Sequence, residues 1–227
     1  DNEYRNQLPE HTGPASLPKE VSEKAVMIYE WDACRTYNNV IMYPAMARKW
    51  RSMRAQICCQ FQYSDNLTGP YNDDWGHHFL NYELTPAKSA AFTIASRLFK
   101  EWPLGANYDI PGDGFITDTT AVSFEHRQVL YAKKTEVIHA QGIEGWQPLR
   151  LPKIPSLLIG RHCSLFAGYT GSGIYRLEFI SDGVYRLSVS RNTVLIEGAP
   201  DTIFTDGKIG EIPVVALKSE TEKFELK

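Results

Sequence analysis

The stretch Gly173–Ser190, GIYRLEFISDGVYRLSVS, constrains the fold more than any other part of this chain. Gly-Ile-Tyr-Arg-Leu recurs there, ten residues later, as Gly-Val-Tyr-Arg-Leu. Both halves alternate apolar and polar residues, the period of a strand, and Ser181-Asp182-Gly183 separates them with turn chemistry. A three-residue loop with Gly183 in the left-handed position of a bulge sets Phe179 opposite Tyr185, Leu177 opposite Leu187 and Tyr175 opposite Val189 on one side. Glu178 then faces Arg186 on the other. A two-residue loop would put Glu178 opposite Leu187 and mix the faces, so the three-residue loop is expected. The apolar side is expected to be covered. Two copies of five residues make a hairpin and give no basis for a solenoid.

The rest of the chain extends this into an α+β fold, with two main helices in the first half and an antiparallel sheet, sandwich or barrel-like, in the second. Residues 1–20 are polar and carry Pro9, Pro14 and Pro18, which predicts an extended arm. Residues 21–227 are read as one domain, helix-bearing over 21–105 and β-rich over 106–227. The run Ala25–Trp31 is ambiguous between strand and buried helix. Pro44 suits a helix start, and Met46, Trp50, Met53 and Ile57 form one helical stripe. The period then changes: Ile57, Cys59, Phe61 and Tyr63 alternate with Cys58, Gln60 and Gln62, a half-buried strand. After the polar loop 64–76 comes the clearest helix. Thr85 can cap it, Pro86 suits its first turn, Ala91, Ile94, Ala95, Leu98 and Trp102 line one face, and Pro103 and Gly105 end it. Gly112-Asp113-Gly114 marks a turn, Val122–His139 is dense in strand formers, and Asp206-Gly207 predicts a further turn between Thr202–Thr205 and Lys208–Ile212.

Composition removes several classes. The 227 residues are 43% hydrophobic and 22% charged, ordinary for a chain that folds without staples. Net charge is −3, so no global basic field would hold nucleic acid, and no apolar run approaches the roughly 18 residues that span a bilayer. The chain begins at Asp1, which reads as a processed or truncated N-terminus and leaves the location open. Cys34, Cys58, Cys59 and Cys163 have neither CxxC nor Cys/His ligand spacing, so no zinc site is expected, and free, mostly buried thiols are favoured over one or two bridges in a secreted protein. No cofactor is implied.

The chemistry-bearing clusters each have a plainer reading. Asp73-Asp74-Trp75-Gly76-His77-His78 is the richest, but neighbouring histidines on a strand point apart, so no metal site is expected. Gly171-Ser172-Gly173 resembles a phosphate loop yet leads into a strand rather than a helix. There is no G-x-S-x-G nucleophile elbow. Arg48, Lys49, Arg51 and Arg54 crowd the first helix; they would suit an anionic partner such as nucleic acid or an acidic subunit, or simply a solvated face. Tyr175, Arg176, Tyr185 and Arg186 in the hairpin suit an interface, or an ordinary sheet with a charged outer side.

Three classes of function follow. The first is a non-enzymatic structural or interaction subunit of a larger assembly, partnered by other subunits or by copies of itself, with a virion shell or tail component as one form. Ser164–Ser172 leading into Ile174–Phe179 resembles strands of picorna-like jelly-roll coat proteins, but the chain beyond is too short to complete such a jelly roll, and membership is not inferred. The second is a hydrolase-type or metal-dependent enzyme whose site gathers distant residues, His77, His78 and His126 first among them. The third is a secreted carbohydrate-binding β module using exposed Trp and Tyr. The abundance of aromatics (12 Tyr, 10 Phe, 5 Trp) and the missing catalytic signature favour the first.

Overall fold

Strand and helix alternate through the first half of the chain: β1 (Val26–Trp31), α1 (Met42–Ser52), β2 (Ala55–Gln60) and α2 (Pro86–Glu101). A computed structural model describes residues 18, 20, 23–32, 40–67, 80–82, 85–107, 114–126, 128–140, 146, 148–160, 174–190, 193–195 and 215–217. Nearly all of the 1–20 arm, the Asp73–His78 cluster, Gly171–Gly173, the Asp206-Gly207 turn, Cys34 and Cys163 lie outside the described residues. The ambiguous run before Asn38 is the strand β1. It pairs parallel with β2, Met27 beside Ile57 and Ile28 beside Cys58.

The second half forms an open seven-stranded sheet in chain order: β3 (Gly114–Ile116), β4 (Thr120–Ser123), β5 (Gln128–Lys133), β6 (Glu136–Ala140), β7 (Leu157–Gly160), β8 (Ile174–Ser181) and β9 (Val184–Ser190). Every neighbouring pair is antiparallel except β6–β7. β10 (Thr193–Leu195) and β11 (Val215–Leu217) pair separately. The barrel-like alternative is corrected: β3 and β9 remain two distinct edges.

Both faces of this sheet are apolar at its centre, as alternation on a doubly covered sheet requires. Val122, Val129, Tyr131, Ile138 and Ala140 point into the main core with α1, α2, Trp31 and Ala55. Ala121, Leu130, Ala132, Val137 and Leu158 point the other way, under Trp146, Leu149 and Leu151. The two helices therefore lie between the β1–β2 pair and the large sheet. That position explains why Met42–Trp50 is buried all the way round, and not only along the expected stripe.

The hairpin takes the expected register, Phe179 beside Tyr185, Leu177 beside Leu187, Tyr175 beside Val189 and Glu178 beside Arg186. Gly183 sits at φ +70°, and the register shift between Phe179 and Ser181 absorbs the extra residue. Its apolar side is less covered than expected. Leu177 and Leu187 are half-buried at the margin of the cluster under Trp146, Leu149 and Leu151, on the face away from α2, whereas Phe179, Tyr185 and Val189 are exposed.

Three local details differ from expectation. Ile57 belongs to β2, and there the faces are inverted: Ile57 and Cys59 are exposed while Cys58 and Gln60 are half-buried. A chain of alternating residues fixes that two faces exist, not which one meets the core. Thr85 precedes α2 but does not cap it with its side chain; its Oγ1 accepts from the Asn81 amide and donates to the Asn81 carbonyl. Pro86 does open the helix, and Trp102 closes it by donating its backbone N–H to the Leu98 carbonyl.

Polar ties fasten α2 to the sheet. Glu101 accepts from Tyr131, Lys133 and Thr119 at 2.9, 2.8 and 2.8 Å, and Arg97 meets Glu136 at 2.8 Å. Burial alone would raise the Glu101 pKa, but these three donors together outweigh it and hold the carboxyl below its ordinary value. Burial and the Glu101 bond push the Tyr131 hydroxyl well up.

Two outcomes follow. A carboxyl depressed on folding stabilises the fold above the unfolded pKa, and that contribution is lost as pH falls through the folded one. Urea midpoints should therefore favour the wild type over Glu101→Gln at neutral pH, with the gap closing as the pH falls below the ordinary carboxylate range. Gly114 has φ +124°, and a Cβ there would lie 2.0 Å from the Val122 carbonyl oxygen. Gly114→Ala should cost about 3 kcal/mol in the same titration.

Candidate functional site

A parallel pair needs a crossover, and α1 supplies it between β1 and β2, so both strands run the same way with the helices on one side. Val26, Ile28 and Cys58 pack inward against the helical layer. Their neighbours point outward, and among the described residues nothing covers them: Met27 is 52%, Tyr29 71% and Ile57 57% exposed. Cys59, two residues beyond Ile57, shares that outer side and is exposed. Further along, Tyr63 and Tyr82 sit 6.1 Å apart, both exposed, where Tyr63 bridges to Leu80 beside Tyr82. Parallel strands are ordinarily covered on both faces, so this open apolar side is the most unusual surface among the described residues.

The inner side is closed by a buried charge. Asp32 follows the last residue of β1, and Lys88 lies in the first turn of α2; their side chains are 2% and 0% exposed and meet at 2.9 Å. The Asp32 carboxylate also accepts from the Tyr43 hydroxyl and, at 3.3 Å, from the Gln60 amide. One carboxylate thus joins β1, β2, α1 and α2. The Lys88 ammonium lies 5.7 Å from the Tyr43 ring centre, and Tyr43 packs edge-on against Trp31.

Neither Asp32 nor Lys88 emerged from the sequence. The signal was there: Lys88 stands three residues before Ala91 and seven before Ala95, on the apolar stripe of α2, where a lysine requires a buried partner.

Of the four bases expected on the first helix, Arg54 lies beyond its end at φ +67°, and the four do not form one open surface. Arg48 and Lys49 are buried, because the helix is covered from both sides. The Arg48 guanidinium lies 4.3 Å from the Trp102 ring and 4.7 Å from Phe115, and burial lowers the Lys49 pKa. Arg51 lies over Phe99 at 5.0 Å and donates to the Trp102 and Ala55 carbonyls. Only Arg54 is exposed. An anionic partner therefore has one fully exposed cation of the four to meet.

In the hairpin, Arg176 and Arg186 are exposed and both approach Glu178, at 2.7 and 3.9 Å, while Tyr185 packs edge-on against Phe179. Tyr175 is described by its backbone alone. Of the histidines, His77 and His78 lie outside the described residues; His126 packs against Trp146 and His139 meets the Gln128 amide. Among the described residues no three His, Cys, Asp or Glu side chains gather. Trp31 and Trp50 are buried, and the exposed aromatics are mainly tyrosines. Among the described helices, none is long and apolar enough to cross a membrane.

Cys58 and Cys59 are free thiols of opposite character. Burial, with Cys59 beside it, pushes the Cys58 thiol up to about 12.

No family model, no curated protein and no solved structure matches this chain.

Breaking a buried ion pair from one side strands the other charge. Asp32→Leu and Lys88→Met should each cost about 3 to 5 kcal/mol in urea unfolding. The double variant should cost clearly less than the sum, its residual loss being the Tyr43 hydroxyl and Gln60 amide left without their acceptor.

Proposed function

We propose that this chain is a non-enzymatic interaction subunit of a larger protein assembly, and that another subunit sits on the outer face of β1–β2. One observation carries the reading: Met27, Tyr29 and Ile57 stand exposed on parallel strands, an arrangement that other elements ordinarily cover. Tyrosine and methionine are also residue types that interfaces favour. The buried Asp32–Lys88 tie holds the pair on the helices, which lowers the backbone ordering that a partner must impose. The enzyme and carbohydrate-binding alternatives have no comparable feature among the described residues.

Cys59 reports on this surface directly. A maleimide should label it in the isolated chain and leave Cys58 untouched, since Cys58 is half-buried and held as a thiol. In the assembly purified from its native source, Cys59 should be protected. Tyr29→Lys with Ile57→Lys should leave the circular dichroism spectrum intact and abolish incorporation, read by native mass spectrometry. Equal labelling of Cys59 in the free and native forms would remove the proposal.

A further inference from the structure

The far edge of the large sheet carries a separate surface. β9 is its outermost strand, and among the described residues nothing pairs with its outer side. Open edges invite further strands, and proteins blunt them by shortness, proline, charge or a bulge. β3, the opposite edge, has three residues. β9 has seven, VYRLSVS, without proline and with a single charge, Arg186, and the irregularity of the hairpin falls on β8 instead. Val184, Tyr185 and Val189 are 51%, 38% and 44% exposed.

A continuous apolar row also leads to this edge. Ala132, Val137, Leu158, Leu177 and Leu187 are register neighbours across five strands on one face. The row is buried through Leu158, half-buried at Leu177 and Leu187, and ends there.

The sequence of β9 is matched in character about Leu187. Against an antiparallel second copy with Leu187 on the two-fold axis, Leu187 meets Leu187, Tyr185 meets Val189 and Arg186 meets Ser188. Apolar residues meet apolar ones on one face, and polar meet polar on the other. Leu–Leu and Tyr–Val are also pairings the hairpin itself makes, at Leu177–Leu187 and Tyr175–Val189. Moving the axis to Arg186 would oppose two guanidinium groups.

We propose that two copies of this chain pair antiparallel along β9, about a two-fold axis through Leu187, and so join their large sheets into one. The contact is isologous and closes as a dimer. It leaves the β1–β2 face free, so the two surfaces are tested independently.

The experiment uses the full chain with Cys59→Ser. Sedimentation should show a concentration-dependent dimer. Under mild oxidant, a mixture of Arg186→Cys and Ser188→Cys chains should cross-link at those positions, located by peptide mass spectrometry, while either variant alone should not. Val189→Lys, at an exposed position, should weaken the dimer roughly tenfold or more. Adding Tyr185→Glu to that chain should restore it, because each glutamate then faces a lysine of the other copy. A chain that stays monomeric at every concentration overturns the proposal. So does a dimer indifferent to Val189→Lys, or one lost through Tyr29→Lys while the mixed cysteine chains fail to cross-link.

Discussion

Covering the helices on both sides is the constraint from which the rest of this structure follows. A helix on a protein surface needs one apolar stripe and can leave its polar side in water. α1 lies between β2 and α2, so even its bases must find company indoors: Arg48 between Trp102 and Phe115, Arg51 on Phe99 and on two carbonyls. The same enclosure makes Asp32 and Lys88 obligatory partners, since either charge alone in that layer would be expensive. Such a pair adds little net stability over apolar residues of equal volume. What it adds here is registration, because only one arrangement of β1, β2, α1 and α2 brings Tyr43, Gln60 and Lys88 to one carboxylate.

Much of the fold was legible because it depends on short-range chemistry. The hairpin register came from the loop length and from one acid facing one base, and Gly183 and Glu178–Arg186 stand where that reasoning puts them. α2 was legible from Pro86, its apolar stripe and Pro103. What failed to show was whatever depends on a second layer. Strand alternation in β2 was clear, but its exposed side was inverted, because the helices packed beneath it select Cys58 and Gln60. The basic cluster of α1 looked like a surface, since nothing local announces that both sides of a helix will be covered. The candidate site was hidden for the same reason: an open face is defined by the element that is missing above it.

The two candidate surfaces differ in kind. The outer face of β1–β2 offers side chains that stand off the plane of the two strands. The β9 edge offers backbone, with side chains that select the register. A chain presenting one of each can be joined in two directions without either contact competing with the other.

The single parallel step in the large sheet has its own consequence. β3–β6 is an antiparallel meander whose partners lie close in sequence, but β6 and β7 run the same way with residues 141–156 between them, of which Trp146, Leu149 and Leu151 lie on the face away from the helices. Closing that long connection costs more chain entropy than any hairpin in the sheet. The seam between β6 and β7 is thus a line along which the sheet can part. Amide exchange would divide it there into two cooperative blocks, with Val137 and Leu158 on opposite banks.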